Sequence, residues 1–181
     1  MMSSSAKTKE NTMLLLYKQD PYVSPAVALF DTLIQAGEAK AHVALPVNLR
    51  VFLVSCLIEH LREPDIVRCV LALDLLESSG KSGAERAVFL KRAGDAALIL
   101  AGLYPERALR LNVSSAYLRS MGQAFYASLA AHLDAGPAVE RGRFYNEVTQ
   151  GFVSLERVLN GARGRAENEW DVYRRFRAQI N

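Results

Sequence analysis

The residue types that do chemistry are thinly spread over this chain. Its three histidines, His42, His60 and His132, form no Glu-x-x-His pair, the one-turn spacing that sets a carboxylate and an imidazole on one metal in a helical bundle. His60 with Glu63 has the reversed order once, and His60 reads instead as a partly buried helix-end residue, where the helix dipole favours a cation. A lone imidazole could ligate haem, a test that any helical protein with a histidine passes. Cys56 and Cys69 stand thirteen residues apart, a spacing that matches no zinc site. No metal and no cofactor is expected. The run Gly80-Lys81-Ser82-Gly83 lacks the earlier glycine and the preceding strand of a phosphate-binding loop, so it reads as a helix connection. No G-x-S-x-G elbow is present to present a nucleophilic serine.

One stretch, Gly94 to Tyr126, does set polar groups among apolar ones. Asp95 lies in an apolar segment and needs a cation or donor; Arg92, Arg107, Arg110 and Arg119 are the candidates. Pro105 breaks the helix there, and the backbone groups it frees must find side chains or water. Tyr104, Glu106 and Arg107 sit at the break, with Tyr117 and Tyr126 following. Two readings compete. One is a buried polar network that holds the kinked helix in one arrangement. The other is a small-molecule pocket between helices, with Asp95, Tyr104, Glu106, Arg107, Tyr117 and Tyr126 as convergent polar groups. Gly94, Gly102 and Gly122 cost about 1 kcal/mol each relative to alanine in a helix, so close helix approach or a gap for a ligand must compensate.

The elements that position these residues are helices. Residues 1–22 read as a flexible segment and 23–181 as a single helical domain. Ser24-Pro25 is an N-cap signal and Gly37 a stop, with Val27, Phe30, Leu33 and Ile34 on one face. Pro46 opens a helix to Arg62 that is apolar nearly all round, the mark of a central helix. A third, from Pro64 to Ser79, should fold back on it as a hairpin. The next runs from Ala84 to Leu103. Asn112 or Ser114 then caps a helix from Ser115 to Leu133, and Pro137 starts one to Asn160. After the break at Gly161-Ala-Arg-Gly-Arg165, a last helix carries Trp170, Tyr173, Phe176 and Ile180 on a narrow stripe. With no convincing strand and no solenoid repeat, the chain is all-α, a single-domain bundle of about seven helices kinked at Pro105.

Half the residues are hydrophobic and 23% are charged, which is globular composition rather than that of a disordered chain. The net charge of +3 neither demands nor excludes an anionic partner. From Arg157 onward six arginines face three acids; Glu167, Glu169 and Asp171 would repel phosphate, so nucleic acid is disfavoured against a solvated face with ion pairs. No apolar run reaches the roughly 18 residues of a membrane span and no secretory signal opens the chain, so a cytoplasmic location with reduced cysteines is expected.

The motifs GLYPER (Gly102 to Arg107) and YLRSMGQAFYASLA (Tyr117 to Ala130) resemble a group of uncharacterised bacterial helical proteins. That resemblance implies a bacterial cytosolic helical domain and no particular activity; Leu103 and Leu118 stand where the group has aromatics. The function expected is a non-catalytic interaction or regulatory module, self-associating as a homodimer or meeting a protein partner through its terminal helices. The competing expectation is a small-molecule binder or enzyme built at the Pro105 kink.

Overall fold

The computed structural model describes residues 24–62, 80, 82–110 and 112–180, and side chains over 26–60, 80, 82–110 and 112–163. Among these residues every regular element is a helix. They are α1 (Ser24–Ala41), α2 (Val47–Arg62), α3 (Gly83–Leu103), α4 (Pro105–Arg110), α5 (Ser115–Asp134) and α6 (Val139–Ile180). The helix expected over 64–79, with its hairpin, and the N-terminal segment 1–22 lie outside the described residues.

The second half of α3 is the centre of the molecule. From Ala93 to Leu103 every residue is buried, so this segment has no solvent face and its apolar residues must run all round. Its first half, from Gly83, stays largely exposed. The helix therefore starts at the surface and drives into the core. It packs on α5 and α6, while α6 also packs on α1 and α2. Phe30, Ile34, Leu53, Leu98, Ile99, Phe125, Phe152, Leu155 and Leu159 fill the space between them.

The three glycines of the central stretch serve close approach. A Cβ on Gly94 would stand 2.7 Å from the Tyr126 ring, and one on Gly102 would stand 2.5 Å from Leu159. One on Gly122 would strike the Phe152 ring. In each case an aromatic or leucine already occupies the gap.

Two helix ends differ from the sequence expectation, for one shared reason. Gly37 does not stop α1, which continues to Ala41, and the Gly161–Arg165 stretch does not interrupt α6. The two glycines face each other where α1 crosses α6. A Cβ on Gly161 would lie 2.6 Å from the Gly37 carbonyl oxygen, and one on Gly37 would strike the Val158 carbonyl. They are interior glycines of a backbone-to-backbone crossing, which a pattern of stop signals misreads as punctuation. The real stop of α1 is His42, at φ 52°. Its amide donates to Ala39 O and that of Val43 to Glu38 O at 3.0 Å, the paired bonds of a left-handed C-terminal cap. Asn112, at φ 57°, ends α4 the same way, with Val113 N donating to Ala108 O at 2.9 Å.

Other boundaries follow their signals. Ser114 caps α5, its Oγ accepting from Tyr117 N at 3.1 Å, and Pro105 separates α3 from α4. The stripe Trp170, Tyr173, Phe176 and Ile180 lies on the helical end of α6, beyond the described side chains.

Candidate functional site

Asp95 sits about half a turn inside the buried half of α3 and is 1% exposed. A carboxylate there needs strong partners, and the surrounding helices supply them. Lys91, four residues earlier on α3, reaches down the same face and places Nζ 2.7 Å from Oδ2. From α5, the Tyr126 hydroxyl donates to Oδ1 at 2.7 Å. From α2, the Cys56 thiol bonds the same carboxylate, and Glu59 holds Lys91 Nζ from the other side at 2.5 Å. Tyr145 of α6 stacks on Tyr126, with ring centroids 6.0 Å apart, and Phe52 packs edge-on against both tyrosines. Three helices thus meet on one charge, and α6 backs the tyrosine that α5 supplies.

Electrostatics follow from burial. Desolvation pushes the Asp95 carboxyl up, opposed by the Lys91 ammonium and the Lys91 and Tyr126 hydrogen bonds. Desolvation would lower Lys91, but the attraction of Asp95 and the bonds to Asp95 and Glu59 overcome it and raise it. We take the pair as ionised, because three donors converge on the carboxylate. Burial, then the Asp95 charge, pushes both the Cys56 thiol and the Tyr126 phenol well up. Burial also moves Tyr145 up to about 12. All three remain protonated donors at neutral pH.

Lys91 has a second face. It lines a cleft of about 560 Å³ that opens where the start of α3, the end of α5 and the start of α6 meet. Ala84, Ala87, Val88, Leu129, Leu133 and Pro137 give it apolar walls; its polar side chains are Lys91, His132, Arg141 and Tyr145. Val88 is 68% exposed, an apolar side chain left at the mouth. His132 Nε2 lies 2.9 Å from the Gly83 carbonyl; since a carbonyl only accepts, Nε2 carries the proton.

Of the six residues singled out in the sequence, the structure brings Asp95 and Tyr126 together and sets the other four elsewhere. Leu103, the end of α3, is eight residues past Asp95, about 12 Å of helix rise, and the kink lies beyond it. Glu106 is exposed and paired with Arg163 of α6. Arg107 is exposed and acts on His60, whose ring lies 6.1 Å from that of Tyr104. Tyr117 is 37% exposed in the first turn of α5. None of the four lines the cleft.

Two expectations need correction. The cation on Asp95 is Lys91, not one of the arginines, and Arg119 instead holds Glu156 through two bonds of 2.7 and 3.0 Å. His60 does lie in the last turn of α2, but not as a cation: burial, then the Arg107 charge, lowers it to about 4, so it is neutral. Sequence reading also passed over Lys91, Glu59, Arg141 and Tyr145. The i, i+4 spacing of Lys91 and Asp95 was the available signal.

The fold and site together define an all-helical bundle with a charged cluster at the foot of an apolar cleft. Comparison of the chain with protein-family models, with curated proteins and with solved structures finds no match. Among the described residues no group of three or more potential ligands could hold a metal, and no helix is long and apolar enough to cross a membrane.

Proposed function

We propose that the chain is a non-catalytic binding protein that takes a small amphipathic molecule in the cleft between α3, α5 and α6. The observation that carries this reading is Lys91, which belongs both to the buried ion pair and to the cleft lining. The cleft volume falls within the roughly 300–1,000 Å³ of small-molecule sites, and apolar walls with a few placed polar groups are their usual make-up. Asp95 and Tyr126 act as its foundation: they fix Lys91 in one position, so a ligand meets a preorganised donor. The site favours binding over catalysis because its thiol and phenols are held protonated and its carboxylate is already engaged by three donors.

The test is a thermal-melt screen of a small-molecule library against wild type and Val88→Trp, which fills the mouth from an exposed position. A compound present at about 100 times its Kd stabilises the native state by about 2.7 kcal/mol. The reading predicts compounds that raise the melting temperature of wild type but not of the variant. A library that shifts both equally, or neither, rejects it.

Self-association through the terminal helices is the second reading. It is favoured by the continuity of α6 to Ile180 together with the apolar spacing of Trp170, Tyr173, Phe176 and Ile180 along it. Sedimentation of a chain ending at Arg163 tests it; an unchanged association state would remove that segment from any interface.

A further inference from the structure

Three of the cleft's four polar side chains, Lys91, Arg141 and Tyr145, are donors toward it; the fourth, His132, spends its Nε2 proton on the Gly83 carbonyl. An ammonium has three N–H groups, and on Lys91 two are taken, by Asp95 and Glu59. The third is left for the cleft that Lys91 lines. The Tyr145 hydroxyl has no hydrogen-bond partner among the described residues and lines the same cleft as Lys91 and Arg141; the charges of Lys91 and Arg141 act on it, opposed by those of Asp95 and Glu59. Its high pKa keeps its proton in place to be donated. Among the described residues the Arg141 guanidinium likewise has no partner, and none of those that line the cleft is a carboxylate. Asp95 and Glu59 bring two negative charges against the one on Lys91, so an anion in the cleft depends for its charge on Arg141, which is unpaired among the described residues. The remaining walls are alanine, valine, leucine and proline side chains, which suit an aliphatic body better than a polar one.

We infer that the ligand of this cleft is an aliphatic monocarboxylate, its carboxylate held by Lys91, Tyr145 and Arg141 and its chain laid along Ala87, Val88 and Leu133. The inference rests on the cleft being a binding site and adds the sign and shape of what enters it. A carboxylate suits these donors because it accepts on two oxygens, one from the ammonium and phenol side and one from the guanidinium. A cationic or neutral head of the same chain length leaves the donors without an acceptor.

Calorimetric titration with octanoate, 1-octanol and octylammonium separates the possibilities. Octanoate should bind wild type at least tenfold more tightly than octanol, with octylammonium weaker still. Arg141→Glu, at an exposed position with no partner to orphan, should weaken octanoate at least tenfold and leave octanol unchanged. Tyr145→Phe should weaken octanoate about threefold. Octanol binding as tightly as octanoate, with both displaced by Val88→Trp, would overturn the inference and leave the cleft a binding site. No binding by any of the three would overturn the inference, and if the library screen is also blank, the binding reading falls with it.

Discussion

Asp95 shows how one buried charge organises its surroundings. Its partners come from α2, α3 and α5, and each is fixed because the carboxylate cannot be left alone in an apolar interior. Removing one member of such a pair costs more than the pair contributes, because the survivor stays buried. Asp95→Ala should therefore destabilise the fold by about 3–5 kcal/mol in urea unfolding. Tyr126→Phe, which leaves Lys91 in place, should cost only about 1.5 kcal/mol. Equal costs would mean that the tyrosine hydroxyl, not the ammonium, carries the charge. Cys56 is bound to the same carboxylate and raised by burial, so in a Cys69→Ser background it should resist a thiol-specific disulfide reagent at pH 8 until the protein unfolds. Reaction at the rate of a free thiol under native conditions would contradict its burial.

At the scale of the element, the glycines sort into two kinds. Gly37 and Gly161 meet across α1 and α6 with backbone on both sides, so neither neighbour has a side chain that could move away. Gly37→Ala gains about 1 kcal/mol of helix propensity but loses more to the clash, and should be destabilising by about 1–2 kcal/mol net. Gly136 has only a carbonyl oxygen at 3.8 Å and no left-handed φ. Gly136→Ala should stabilise by about 0.5 kcal/mol through the unfolded chain, and the sign difference between the two variants is the measurement. The sequence showed where helices start: Pro25, Pro46, Pro105 and Ser114 mark their starts through local backbone chemistry, which needs no tertiary knowledge. Where α1 stops was hidden, because a glycine at a crossing and a glycine at a stop are the same letter and only the opposing helix distinguishes them. The site was half legible. Asp95 and Tyr126 stood out as polar groups in apolar runs, but the cleft is made by Lys91, Arg141 and Tyr145, ordinary surface-type residues in their own helices, joined only by packing.

On the scale of the whole molecule, the buried His60 links stability to pH. Its folded-state value of about 4 lies below the ordinary 6.5, so between these values the unfolded chain binds a proton that the folded chain refuses. This contribution is complete above pH 6.5, falls away as the pH drops toward 4, and amounts to about 3 kcal/mol over that window. Urea midpoints for wild type and His60→Leu, taken at pH 7 and pH 4.5, should diverge, with wild type losing more on acidification. Parallel losses would mean that the imidazole titrates alike in both states.

The meeting of Gly37 with Gly161 also has a kinetic side. The helix that covers α1 is made more than a hundred residues later, and at about 5–20 residues per second a ribosome needs on the order of ten seconds to supply it. Throughout that interval Phe30, Leu33 and Ile34 have no lid from α6, and a nascent chain in this state is a natural client for chaperones that recognise bare aliphatic stripes.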